Sequence, residues 1–328
     1  MKATIIKILK LVVPIGIGLY LTWYFLTGLT DTEIEQTKSA FYEANYFWVV
    51  ISLILAFLSH FSRAYRWLFL LEPLGYKPKL SNSYHAVMSG YIINYTVPRS
   101  GEIARAGLMT SYEKVPFEKG FATIVIERVI DVIMLLIVVF ISGLLQANSE
   151  QLDRITQTES GEPSYLIWYI LGGGFVMGLI GLVVYLKSEK VKSFVNEKLR
   201  GFWEGLKSVW TMKKKWAFIG HTLFIWTCYV GMFWVAAQAF PETESIPIGC
   251  IFAAFVVGAT AIAAVPGGLG LYPLWVTAAL AAYDINFAAF GIFVWVTQTG
   301  LLIVLGLLSL FLIQRQPKLV EEKPTADE

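Results

Sequence analysis

Apolar runs of about 20 residues recur along this chain, and each is long enough to cross a bilayer as a helix. Six are clear, at roughly 5–28, 47–71, 120–145, 165–187, 216–240 and 288–313. The first is too long for a removed signal peptide and has no small-residue cleavage site. Of 328 residues, 56% are hydrophobic and 15% are charged, whereas about 25% is usual for a soluble domain. Too little polar material remains to cover a soluble surface. That excludes a soluble enzyme, a nucleic-acid module and a disordered chain, and predicts an all-α polytopic membrane protein.

Two further apolar segments are broken in the middle. Segment 84–112 is interrupted at Val97-Pro98-Arg99-Ser100-Gly101, and segment 248–283 at Val265-Pro266-Gly267-Gly268. The loops decide how these run. Residues 187–215 carry nine basic side chains against three acidic ones, which marks a cytoplasmic loop. Residues 30–46, 146–164 and 241–247 are poor in Lys and Arg, as outside loops are. Alternation then puts the N-terminus, 72–83, 113–119 and the tail 314–328 in the cytoplasm. Segment 84–112 has basic residues at both ends, so it enters and leaves on one side. The same reading makes 248–283 a second re-entrant helical hairpin, with a single kinked crossing as the alternative.

Span 47–71, hairpin 84–112 and span 120–145 then match span 216–240, hairpin 248–283 and span 288–313. Both breaks begin Val-Pro and run into glycine. The two units start on opposite sides, the arrangement of an inverted repeat. Between them, 188–215 alternates charge with apolar residues at helical spacing, including Trp203, Leu206 and Trp210. This predicts an amphipathic helix under the inner leaflet.

Charges inside apolar segments are costly, and mark function or pairing. They are Arg63 and Arg66 in the second span; Arg99, Glu102 and Arg105 in the first hairpin; and Glu127, Arg128 and Asp131 in the third span. The second unit has nothing comparable, since 248–313 holds one charge, Asp284. A helix restarting at Ser100 would offer free amides beside Arg99, a ready anion site. Arg99 or Arg105 suits a lipid phosphate because its planar fork bonds two oxygens. Glu102 then holds a positive partner or tunes the arginine. The alternative is a salt bridge between Glu102 and Arg105, or from each to another buried charge. Arg63, Arg66, Glu127, Arg128 and Asp131 read as a supporting ion network. Pro266, Gly267, Gly268 and Gly270 expose backbone that admits a ligand or lets helices pack. Cys228, Cys250, His60, His85 and His221 are scattered, so no metal or cofactor is expected.

At these residues the chain resembles a known family. Arg63-Ala64-Tyr65-Arg66-Trp67, Pro98 to Arg105, Glu127-Arg128-Val129-Ile130-Asp131 and Pro266-Gly267-Gly268-Leu269-Gly270 are similar to the membrane domain of lysylphosphatidylglycerol synthases. The wider group is the flippase-like membrane proteins of bacteria and archaea. The resemblance covers about 5–313. It implies a multi-pass protein of a bacterial or archaeal cytoplasmic membrane that moves a lipid between leaflets. Two-part members move an aminoacylated phospholipid that their cytoplasmic domain makes. Here the chain ends about fifteen residues after the last span, so the synthase domain and lysyl transfer are not expected, and a separate lipid-modifying enzyme is a candidate partner. The family often has an acidic residue shortly after Pro-Gly-Gly-x-Gly, where this chain has Leu271-Tyr272-Pro273. That departure argues against a lysylated head group.

The expectation is therefore a non-enzymatic transporter of a phospholipid or lipid-linked substrate. The rival is a membrane-embedded transferase or hydrolase using Glu127 and Asp131. A non-transporting accessory subunit is the third reading. The sequence leaves the lipid, the energy source and the oligomeric state open.

Overall fold

A computed structural model describes residues 2–97, 100–146 and 185–319. The expected span 165–187 falls almost wholly outside them, as do Pro98, Arg99 and most of the tail. The described residues form helices, here numbered in chain order: α1 Lys2–Gly28, α2 Asp31–Glu43, α3 Tyr46–Leu71, α4 Leu80–Thr96, α5 Gly101–Glu113, α6 Phe117–Gln146, α7 Glu189–Thr211, α8 Lys215–Ala237, α9 Ile248–Ala264, α10 Leu271–Ala281 and α11 Ala288–Gln314. Tyr46–Leu74, Lys215–Ala237 and Ala288–Gln314 are long and apolar enough to cross a membrane. At 30 residues α6 is also long enough.

Each broken segment folds as a pair of antiparallel helices. In the first, the Asn94 side chain at the end of α4 meets Gly101 at the start of α5, and Asn82 near the start of α4 bonds Glu113 at the end of α5. In the second, Gly258 faces the Tyr272 ring near the turn and Gly249 lies beside the Tyr283 hydroxyl at the base. The four helices have 17, 13, 17 and 11 residues, so the longest reach about 26 Å, short of a bilayer core of about 30 Å.

The ends of the bundle sort the loops by charge. At one end Lys214 pairs with Glu72 at 2.8 Å, Lys119 donates to Tyr76, and the Leu319 amide donates to the Ser111 carbonyl at 2.9 Å. The basic loop, both ends of the first hairpin and the start of the tail thus share this end. At the other end the Asn45 amide donates to the Ala239 carbonyl, and Phe240 packs on Phe287 with ring centroids 5.3 Å apart. The first hairpin opens at the basic end and the second at the opposite end.

The units α3–α6 and α8–α11 run in opposite directions and exchange partners in matched fashion. α3 packs on α8. The first helix of each hairpin packs on the last helix of the other unit, α4 on α11 and α9 on α6. The tips meet inside the bundle. Gly267 has φ +62 and lies flat against the Tyr95 ring, where any Cβ would overlap it. Only glycine takes that backbone without strain. Gly270 sits as closely on the backbone of α1 at Thr22.

Two segments differ from the sequence reading. Residues 31–43, expected as loop, form α2, started by a capping box in which Thr30 and Glu33 bond each other's backbone amides. The Thr-x-x-Glu spacing carries that signal. The span expected to reach 240 ends at Ala237, and the chain turns through a tight link to α9. α7 forms as expected, packing on α6 with Trp203 and Trp210 exposed.

Candidate functional site

The charged residues of α3, α5 and α6 converge on one cluster. Three- and four-residue spacings put Arg63 and Arg66 on one face of α3, and Glu127 and Asp131 on one face of α6. Arg63 pairs with Asp131 at 2.6 Å and donates to the Tyr229 hydroxyl at 3.2 Å. Arg66 reaches Asp131 at 3.0 Å and Glu127 at 3.4 Å, and donates to Thr222 at 3.0 Å. Arg105 of α5 meets Glu127 at 2.7 Å. Its guanidinium also stacks over the Trp67 ring, 3.7 Å from the centroid, while the indole N–H is held by Thr123. Arg128 bridges Glu102 at 3.2 Å and Asp131 at 3.6 Å.

Burial separates the core of this network from its rim. Arg66 and Glu127 are fully buried, and Arg63 and Arg105 nearly so. The Arg128 side chain is 42% exposed and that of Glu102 26% exposed. A buried charge is tolerated only with partners, and Glu127 has two. The Glu102–Arg105 pair, three apart on α5, does not form; each turns to a residue of α6 instead. The same pairing occupies both carboxylates that the hydrolase reading would use. Among the described residues no three His, Cys, Asp or Glu side chains gather at a metal-sized site.

The cluster is not balanced. Four arginines meet three carboxylates. All four arginines leave a buried Nε without a hydrogen-bond partner, and Arg105 alone of the four also leaves a buried Nη2 without one. Arg105 and Arg128 line a narrow crevice with Tyr91, Asn94, Gly101 and Glu102. This crevice lies where α4 and α5 meet behind the first tip. Ser100 holds the N-cap position of α5 without capping it by its side chain. Asn94 does so instead, accepting from the Gly101 amide at 2.7 Å. That amide, expected free, is thus taken. Arg99 lies outside the described residues.

The second tip contributes shape rather than charge. Pro266, Gly267 and Gly268 form a single turn, and the Gly267 carbonyl accepts from the Trp295 indole at 2.8 Å. Sequence reasoning missed Trp67, Asn94, Tyr95, Thr222, Tyr229 and Trp295. None is charged, and nothing in a single sequence marks an aromatic as the lid of a distant arginine.

Helices of spanning length around a buried arginine–carboxylate cluster define a polytopic α-helical membrane protein. Its family is that of the lysylphosphatidylglycerol synthase transmembrane region, whose model matches residues 11–309; the chain belongs to it. It is 26% identical over 171 residues to the UPF0104 membrane protein MJ1595 of Methanocaldococcus jannaschii, an alignment covering 51% of this chain and 47% of that protein. The chain thus aligns with about half the length of that relative. No solved structure matches it.

Proposed function

We propose that the protein carries a phosphate-bearing lipid across the cytoplasmic membrane without changing it chemically. The hairpins are re-entrant in this reading, the first from the cytoplasm and the second from outside, with both termini cytoplasmic. One observation carries it: an arginine-rich cluster with one positive charge in excess and two unpartnered Arg105 nitrogens at the crevice behind a hairpin tip. A charge in a bilayer costs several kcal/mol unless compensated, so a guanidinium that shares its one carboxylate with a second arginine is a place for an anion. A phosphate oxygen would take the free fork of Arg105 with Arg128 at the open side, and Arg99, two residues before Gly101 in sequence, as a third candidate. Glu102 orients Arg128, and Arg63, Arg66, Glu127 and Asp131 hold the rest in place. Pro266, Gly267, Gly268 and Gly270 form the second tip, which rests on Tyr95 next to the crevice residue Asn94. No ATP motif is visible in the sequence, so any driving force would be a gradient or downhill exchange. A separate lipid-modifying enzyme would supply or consume the cargo.

The test is leaflet exchange in proteoliposomes with head-group-labelled lipids. Phosphate-bearing lipids should cross faster than in protein-free vesicles, and glycolipids without phosphate should not. Equal exchange of both classes would remove the phosphate from the reading, and no exchange of either would remove transport.

A further inference from the structure

Beside the crevice, on the far side of the α4 terminus, lies a second cavity of about 220 Å³. Its walls come from α1 (Ile15), the end of α4 (Tyr95), the second link (Val265, Pro266, Leu269) and α11. It therefore sits where the two hairpin tips meet. We infer that this cavity receives a hydrocarbon chain of a membrane lipid while that lipid's anionic head lies in the Arg105 crevice. The location of the head rests on the proposed function; the chain site does not.

The cavity's lining is mostly apolar. The Trp295 indole N–H donates to the Gly267 carbonyl at 2.8 Å, and Tyr95 and Thr299 bring the hydroxyls of the lining. A buried water needs two to four polar partners, and Ile15, Val265, Pro266, Leu269 and Ile303 offer no side-chain partner. The lining suits an apolar occupant. An apolar cavity of roughly 150 Å³ already accepts a benzene ring, so this one has room for a stretch of chain. Left empty, its walls would forgo dispersion contacts that a filled site makes. In a bilayer the neighbouring apolar material is lipid tail, which is as apolar as leucine. Entry therefore gains contacts but little hydrophobic energy, and selectivity is left to the head.

The two sites share a wall. Asn94 lines the crevice and Tyr95, the next residue, lines the cavity. Consecutive Cα atoms are about 3.8 Å apart, so one amphiphile can straddle the end of α4 with its charge on one side and a chain on the other. Tyr95 also rests on Gly267. A chain entering here meets the contact that joins the two hairpins.

The experiment is photocrosslinking of the full chain in phosphatidylcholine vesicles containing a trace of phosphatidylglycerol with a diazirine in one acyl chain. Adducts are mapped by mass spectrometry. Val265 is the reporter, because it lines the cavity yet is only 5% exposed, so annular lipid does not reach it. Val304 and Leu307, both more than half exposed, report annular lipid. The wild type should give a Val265 adduct. Ile303→Trp, which fills the cavity from its rim, should abolish it and leave the Val304 and Leu307 adducts unchanged; Ile15→Trp fills it from α1 and should do the same. Absence of the Val265 adduct in the wild type overturns the inference, and so does its persistence in a folded filling variant. A further arm separates the two readings. If Arg128→Gln and a phosphate-free diacylglycerol probe both give the wild-type Val265 adduct, the chain site stands and the head-group reading falls.

Discussion

The two hairpin units share a packing scheme and differ in almost everything else. In the first, α4 and α5 approach through Gly90 and Gly101, and the space behind the tip is filled by arginines and carboxylates. In the second, α9 and α10 approach through Gly258 and Gly268 on Tyr272, and the tip is bare backbone. Asp284, the one charge in 248–313, lies beyond α10 at the base of the hairpin rather than at its tip. The difference teaches that the repeat supplies a frame, and that charge was placed on one side of it. In the proposed function the first hairpin would hold an anion, while the second tip packs closely on Tyr95.

Four measurements break or sharpen that contrast. The largest effect is all-or-none. Single cysteines at Glu244 and Lys318, probed with an impermeant thiol reagent on cells with any outer barrier opened, should label only at 244. Labelling at both would place the two bundle ends on one side and remove the opposed hairpins, and labelling at 318 alone would invert the orientation. Next comes Glu127→Gln. It leaves Arg66 and Arg105 short of a charge in a fully buried site, and should cost about 3–5 kcal/mol in thermal stability or folded yield. Normal stability would mean that the cluster is not structural.

Gly267→Ala comes third. It forces a Cβ into the Tyr95 ring at φ +62 and should cost about 1–3 kcal/mol. Tyr95→Ala in the same chain should relieve the overlap but not the backbone strain, and a double-mutant cycle reads the difference. If the two losses simply add, the tips do not touch. Arg128→Ala is smallest. With a half-exposed side chain it should change stability by no more than about 1 kcal/mol; a loss as large as that of Glu127→Gln would put Arg128 in the buried core.

Much of this frame was legible in the sequence. The spans at 47–71 and 288–313 match α3 and α11 to within a residue, because unbroken apolar runs leave a helix no alternative in a bilayer. The breaks at 97–101 and 265–268 showed through Pro and Gly, which interrupt a helix wherever they fall. The members of the ion cluster were legible by the cost of burying them. Their pairing was not. Residues three and four apart share a face, so local spacing favours Glu102 with Arg105, yet helix packing brings Arg128 of α6 to Glu102 instead. Asn94 as the cap of α5 was invisible for the same reason, since seven residues and a turn separate it from Gly101.

In the proposed function the excess positive charge behind the first tip carries the lipid, and Arg128 is where it can be removed with the least harm to the fold. The measurement is phosphatidylglycerol translocation by Arg128→Gln and Arg128→Lys in vesicles at matched density of folded protein. The account predicts a loss of about tenfold or more for Gln, equivalent to about 1.4 kcal/mol. Lys, which keeps the charge without the fork, should retain part of the rate. A wild-type rate in Arg128→Gln, with the protein folded, would contradict it.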